Sequence, residues 1–352
     1  MLPFDTPPKN ICIVRLSALG DVTHAVPVLR AIQKNWPLTR VTWICATAVH
    51  PLLSVLDGVR FIVIDKKAGW RGYRQLRRDL GGERFDIMLQ MQTSARANFT
   101  GACVKADIKL GWDKIRARDF HRFFMTHFIP ETKHQHQVQG HLSFARTIGL
   151  DVSEPEWNFP VSEEAIEFVN ALIPAGKRIL LISPCSSHKS LNWCVDRYTA
   201  VAKYASDQHA TTVVLTGGRS DLELSIGEAI ENSMNKQVIN LIGKLSLPQL
   251  MALLKRADVA LTPDSGPAHM ANAVGTPVIG LHACTWSRRS GPYNSLDLCV
   301  DKFAEAARRF RGKKPENLRW GTRIRDDGVM NLIEIDDVIE RINLAIERID
   351  AR

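Results

Sequence analysis

The sequence predicts an α/β protein built from two doubly wound, Rossmann-like halves. Short apolar runs alternate with longer amphipathic stretches in two successive rounds, the pattern of a parallel sheet covered by helices on both faces. A polar, proline-bearing stretch at 151–160 (DVSEPEWNFP) separates the rounds. The length, 352 residues, suits two domains of roughly 100–200 residues each.

In the first round, residues 10–15 read as a strand, followed by the turn Ser17-Ala18-Leu19-Gly20-Asp21 and a helix through Ala31. Residues 40–47, 61–65, 85–92 and 108–112 are the further strands, and 141–148 is a helix closed by Gly149. The second round places strands at 178–183, 211–216, 238–242, 258–262 and 278–282. Between them, Leu247, Leu250, Leu253 and Leu254 recur at helical spacing. Apolar residues at 335, 338, 339, 342, 346 and 349 mark a terminal amphipathic helix. The expected units are 1–155, 156–330 and a segment 331–352 whose helix packs back on the first unit. Two such sheets facing each other would place a site at the C-terminal ends of their strands.

Charge is divided unevenly. The formal net charge is +9, but residues 1–150 hold 22 basic and 11 acidic side chains (+11), residues 151–300 hold 12 and 15 (−3), and the last 52 hold 12 and 11 (+1). Only the first half reads as facing something anionic. The N-terminus lacks the basic start and apolar run of a signal peptide, and no apolar run approaches the ~20 residues of a membrane span. Seven scattered cysteines without a C-x-x-C pair read as reduced, buried thiols in a cytoplasmic protein, with no zinc site. The histidines at 121, 127, 134, 136 and 141 read as a polar loop rather than a metal centre. The basic residues between 302 and 325 read as a surface segment near a hinge or membrane.

The dinucleotide, P-loop, nucleophile-elbow and zincin signatures are all absent. Asp21 falls at a helix entrance at the mouth of the first sheet, where a carboxylate either deprotonates a hydroxyl or caps the helix. Ser186, Ser187 and Lys189 follow a strand, a composition that suits either a phosphate or a helix cap with a solvated lysine. Gly218, in the Gly217-Gly218 turn, permits close approach of a ligand to the backbone. Asp264-Ser265-Gly266-Pro267, with His269 one turn into a helix, offers a positive helix end to a diphosphate, or simply a capped helix. Basic residues after strand ends (Lys66, Lys67, Arg96, Arg116, Arg118) share the sheet edge of Asp21.

Taken together, V-R-L-S-A-L-G-D-V-T-H-A-V-P (14–27) and T-P-D-S-G-P-A-H-M-A-N-A-V-G-T-P-V-I-G-L (262–281), with Ser186, Ser187 and Trp193 between them, resemble the family 9 heptosyltransferases of lipopolysaccharide inner-core synthesis. The resemblance is greatest to the branch that adds the first heptose to phosphorylated 3-deoxy-octulosonic acid (Kdo). It implies a GT-B fold, an ADP-heptose donor in the C-terminal domain, a Kdo-lipid A acceptor in the N-terminal domain, and no cofactor or metal. Asp21 matches the general base. Asp264, Ser265, Gly266, His269, Ser186 and Ser187, with Lys189 and Gly218, match or adjoin the donor-binding positions. Arg15, Ser17, Gly20, Lys67, Arg71, Arg96 and Arg118 are the implied acceptor contacts. One departure stands out: where the family often has a lysine two residues before Trp-Pro, this chain has Leu191, with Cys194 in place of the proline. The resemblance also implies transient contact with the cytoplasmic face of the inner membrane. The competing readings are a later-acting family 9 transferase, a GT-B nucleotide-sugar epimerase and a nucleic-acid-binding protein. The last is disfavoured by only 7% aromatic residues and the lack of a nucleic-acid module.

Overall fold

Apolar runs that are continuous rather than alternating belong to strands covered on both faces, and here they assemble two separate parallel sheets. The computed structural model describes every residue except Met1, Pro3, Asp5, Pro174, Ala175 and Arg352. The chain divides into two units, Met1–Pro160 and Val161–Arg352, five residues beyond the boundary expected from sequence.

The first unit runs β1 (Asn10–Val14), α1 (Leu19–Asn35), β2 (Arg40–Ala46), α2 (His50–Leu53), β3 (Val59–Ile64), α3 (Gly69–Asp79), β4 (Arg84–Gln90), α4 (Ala95–Ala102), β5 (Lys105–Gly111), β6 (His127–Phe128) and α5 (Gln137–Thr147). Its strands pair in the order β3-β2-β1-β4-β5-β6, all parallel. Central β1 is buried on both faces from Ile11 to Val14. Strand β3, at the edge, exposes Val63 between buried Ile62 and Ile64. The chain leaves β1 toward β2 on one side and has β4 on the other, which makes the ends of β1 and β4 the topological switch point. Val14 pairs with Gln90 there, so residues 15–21 lie beside residues 91–96.

The second unit runs α6 (Glu163–Leu172), β7 (Ile179–Ile182), α7 (Val195–His209), β8 (Thr212–Leu215), α8 (Asp221–Ser233), β9 (Ile239–Asn240), α9 (Leu247–Arg256), β10 (Val259–Pro263), α10 (Gly266–Ala273), β11 (Val278–His282), α11 (Ser287–Ser290), β12 (Val300–Asp301), α12 (Phe303–Arg311) and α13 (Ile335–Asp350). The strand order is β12-β11-β10-β7-β8-β9, again all parallel. Here the switch point lies between β7 and β10, where Ile182 pairs with Leu261. That pairing brings the loop after Ile182 beside the start of α10.

Two expectations are refined. The last helix, set apart in the sequence as a segment of its own, is part of the second unit. The apolar stripe of α13, Val338, Ile342, Ala345 and Ile346, is buried in the core of the second unit. Lys302 Nζ pairs with Asp337 Oδ1 at 2.8 Å, and Arg178 with Asp350, to fasten both ends of that helix within the same unit. The histidine stretch is not simply a polar loop. His121, His136 and His141 are buried, while His127 and His134 are exposed.

Candidate active site

In the first unit the site grows from the turn after β1. Leu16 and Ser17 donate their backbone N–H groups to Gln92 Oε1 at 2.8 and 3.2 Å, tying this turn to the segment after β4. Asp21 is the third residue of α1, and its Oδ2 accepts the Ala18 N–H at 3.3 Å. That is the capping geometry expected of an acidic residue in a first helical turn. The same Oδ2 stands 2.6 Å from Arg15 Nη2. Asp21 therefore caps the helix and also meets a cation. Its side chain is 38% exposed, against 9% for Arg15, so the carboxylate is anchored from the protein side and accessible from solvent.

Arg15, expected from sequence to contact an acceptor, is instead buried. Its Nη1 donates to the Met91 carbonyl at 2.5 Å, while Trp43 Nε1 donates to the Arg15 carbonyl at 3.1 Å. The guanidinium is thus fixed by β4's end and in turn fixes Asp21. Gly20 is buried in the first turn of α1, its carbonyl accepting from Thr23 Oγ1 at 2.7 Å. Neither Arg15 nor Gly20 offers an open face for a ligand.

Ser17 accepts a 2.5 Å hydrogen bond from Lys66 Nζ. Lys66, the first cation after β3, is half-buried; that burial, followed by the charges of Arg96 and Arg15, holds its ammonium below the ordinary lysine range. Arg15, Lys66 and Arg96 thus form one positive field beside Asp21. Lys67, Arg71 and Arg118 are exposed and make no side-chain hydrogen bond or ion pair among the described residues. They surround this edge without joining the cluster.

Two of the buried histidines, His121 and His141, are held in the neutral form. Burial, then the nearby Arg15 charge, holds His141 down to about 3. Its Nδ1 pairs with the Gln137 carbonyl at 2.9 Å, and its ring packs edge-on against Trp112 at 5.2 Å. His121 is held down to about 4 by burial. The Trp112 N–H reaches its Nε2 at 3.0 Å, so its Nδ1 donates to Asn98 Oδ1 at 2.8 Å.

In the second unit, the loop after β7 folds on itself. Ser186 Oγ accepts from His188 N at 3.1 Å and donates to the His188 carbonyl at 3.0 Å, while Ser186 N donates to Asn192 Oδ1 at 2.8 Å. Ser187 and Lys189 are exposed at its tip. Leu191, where the family often carries lysine, is a core residue only 3% exposed. Trp193 is likewise buried, donating its indole N–H to the Ile333 carbonyl at 3.0 Å.

Across the switch point, Asp264 precedes α10. Its Oδ2 accepts from Ser290 Oγ at 3.0 Å, and its Oδ1 lies 3.6 Å from His269 Nε2. Burial works against the charged form, but the contacts with His269 and Thr285 outweigh it and hold the carboxyl well below its usual range. Thr285 also meets His282 Nδ1 at 3.1 Å, and burial lowers the pKa of that imidazole. Asp264 is therefore a buried, ionised hub that orders the residues around it. Ser265 is the N-cap of α10 and shares a 2.8 Å hydrogen bond with Thr262 Oγ1. Gly266 opens the helix, whose first-turn N–H groups have no intrahelical acceptor. Gly218 differs from expectation: its N–H donates to Glu223 Oε1 at 2.6 Å, in the capping of α8. That donor is occupied.

Sequence reasoning passed over Ser290, Thr285 and His282 as partners of Asp264. It left Lys66 out of the acceptor set and read Arg323 and Arg325 as part of a surface segment near a hinge or membrane. Only Lys66 carried a signal, its place just after a strand end.

Residues 73–318 match the family model described as glycosyltransferase family 9 (heptosyltransferase). The chain belongs to glycosyltransferase family 9. A curated relative, the lipopolysaccharide core heptosyltransferase OpsX of Haemophilus influenzae, is 38% identical over 336 residues, covering 96% of each chain. Among solved structures, a family 9 glycosyl transferase from Veillonella parvula superposes with a TM-score of 0.79 at 20% identity, covering 97% of both chains. The E. coli heptosyltransferase WaaC with ADP gives a TM-score of 0.69 at 19% identity, covering 84% of this chain and 97% of that one. The two six-stranded sheets accordingly form a GT-B fold, and the protein is a glycosyltransferase. Among the described residues no helix is long and apolar enough to cross a membrane.

Proposed function

We propose that this glycosyltransferase moves heptose, with inversion, from ADP-L-glycero-D-manno-heptose to Kdo of the lipopolysaccharide inner core. The observation that carries the reading is the Asp21 carboxylate, anchored by Arg15 and exposed at the switch point of the first sheet. As the acceptor hydroxyl oxygen bonds to the anomeric carbon, Asp21 takes its proton. The bond from that carbon to the ADP oxygen breaks, and ADP leaves with the electron pair. A positioned base of this kind contributes about 10²–10⁴-fold.

Acceptor recognition falls to the positive field of Lys66 and Arg96 with Ser17, and to the exposed Lys67, Arg71 and Arg118. Arg15 acts through Asp21 as a positioning residue. Donor recognition falls to Ser186, Ser187 and Lys189, to Ser265 and the N-terminal turn of α10 at Gly266, and to His269 held by Asp264. Helix ends and cations stabilise a leaving diphosphate without proton transfer.

The acceptor is a lipid, and the first unit carries features suited to the cytoplasmic face of the inner membrane. Trp70, Phe99, Phe120 and Phe123 are 81%, 50%, 77% and 86% exposed. Rings connect Trp70 to Tyr73 (5.9 Å), Tyr73 to Phe99 (6.5 Å) and Phe99 to Phe124 (5.7 Å). Exposed Lys67, Arg71, Arg74, Arg96, Arg118 and Arg122 lie on the same segments. Exposed aromatics with flanking cations are the combination that favours an anionic lipid interface.

Mass spectrometry of products from ADP-heptose and Kdo-lipid A, with and without a Kdo phosphate, tests the reading. One added heptose on the Kdo acceptor supports it. Turnover of the donor in the absence of acceptor supports an epimerase instead, and transfer only to an already heptosylated core supports a later-acting transferase.

A further inference from the structure

The geometry points to Arg323 and Arg325 as ligands of a nucleoside diphosphate, holding its phosphates over the Ser186–Lys189 loop. The inference rests on the donor reading above and names residues that reading does not contain.

Three segments of the second unit are stitched together at Cys284. Its thiol donates to the Ser190 carbonyl at 2.9 Å, and its own carbonyl accepts from the Ile324 N–H at 2.9 Å. The residues just past β11 are thereby tied to the phosphate-loop candidate on one side and to residues 323–325 on the other. Ile324 is completely buried, whereas Arg323 and Arg325 on either side of it are exposed. The buried isoleucine fixes this short run, and both guanidinium groups stand on its open side.

Arg325 Nη2 lies 3.4 Å from His188 Nε2, at the tip of the serine loop. Burial, and then the positive fields of Arg325 and Arg323, keep that imidazole below its usual range. The Cys284 thiol, pushed up to about 12 chiefly by burial, senses Arg325, Asp264, Asp326 and Arg323 together. The Cys284 ties and the Arg325–His188 contact therefore bring residues 323–325 to the Ser186–Lys189 loop.

Neither arginine has an ion-pair partner among the described residues. The adjacent carboxylate, Asp326, is engaged by Arg311 through hydrogen bonds of 2.6 and 3.0 Å. Two guanidinium groups at the His188 imidazole repel one another, and a multiply charged anion relieves that repulsion. Arginine suits the role because its planar fork meets phosphate oxygens in pairs. Leu191, buried in the core, places no charge here.

Calorimetric titration of ADP, AMP and adenosine into the full chain, Arg323→Gln, Arg325→Gln, the double variant and Arg325→Lys tests the assignment. The double variant is expected to raise the Kd for ADP at least tenfold, to weaken AMP less, and to leave adenosine unchanged. Arg325→Lys should recover part of the loss, and melting temperatures should stay near wild type because both side chains are exposed. An ADP Kd within twofold of wild type in the double variant overturns the assignment while leaving the donor reading intact. A wild-type protein that binds no ADP overturns both.

Discussion

Arg15→Met separates a positioning arginine from an acceptor-binding one. Methionine fills a similar volume without a charge. The substitution removes the 2.5 Å hydrogen bond to the Met91 carbonyl and the 2.6 Å ion pair to Asp21. The stability cost is modest. Loss of the partner of a buried carbonyl costs about 1–3 kcal/mol. The ion pair itself adds little, because Asp21 is 38% exposed and rehydrates once freed. At roughly 2–4 °C per kcal/mol for a domain of this size, the first unit should melt several degrees lower and remain folded at 25 °C. The effect on activity should be comparable in free energy and far more visible as a rate. A misplacement of about 1 Å in a reacting group costs on the order of 10²-fold, or about 2.7 kcal/mol in the barrier. Steady-state ADP release, with donor and acceptor varied separately, should show kcat down about 100-fold and the acceptor KM nearly unchanged, with partial recovery in Arg15→Lys. A normal kcat with a raised acceptor KM would refute the positioning role and restore Arg15 to the acceptor contacts.

Two other perturbations follow from the same structure. His121 and His141 are held neutral, down to about 4 and about 3. Depressed values for a base mean that the unfolded chain binds more protons below pH ~6.5, so stability contributed at neutral pH is lost progressively as pH falls from there. Calorimetry between pH 7 and 4 should show the first unit's melting temperature falling, and His121→Gln should flatten that slope; an unchanged slope would exclude His121 as a source. At the surface, Phe120→Ser with Phe123→Ser should reduce co-flotation with phosphatidylglycerol vesicles several-fold while sparing kcat on a soluble, deacylated acceptor, and equal flotation would remove those rings from the membrane contact.

The architecture was legible because its signals are local and repeated. Buried parallel strands demand continuous apolar runs, and each run of at least four residues was visible. The two-residue strands β6 and β12 have too little sequence to show a period. The α13 stripe announced a helix, but a stripe at 338, 342 and 346 does not say which surface it will meet. At the site, Asp21 and Asp264 were legible because both sit just past strand ends at switch points. Their partners were less so. Ser290 lies 26 residues from Asp264 and Arg325 lies 137 from His188, separations at which only the completed sheet brings side chains together. Arg15 shows a subtler limit. A cation one residue past a strand reads the same whether it faces a ligand or, as here, turns inward to pair with Asp21. The basic excess of the first half resolves similarly, with Arg15 and Lys66 engaged within the unit and Lys67, Arg71 and Arg118 exposed.

The most direct measurement compares wild type with Asp21→Asn, which retains the side chain's size, on ADP-heptose and Kdo-lipid A by product mass spectrometry, with ADP affinity measured alongside. Wild type is expected to add one heptose to Kdo, and the variant to lose about 10²–10⁴-fold in rate while binding ADP normally. Heptose transfer by the variant within threefold of the wild-type rate would contradict the assignment of Asp21 as the base.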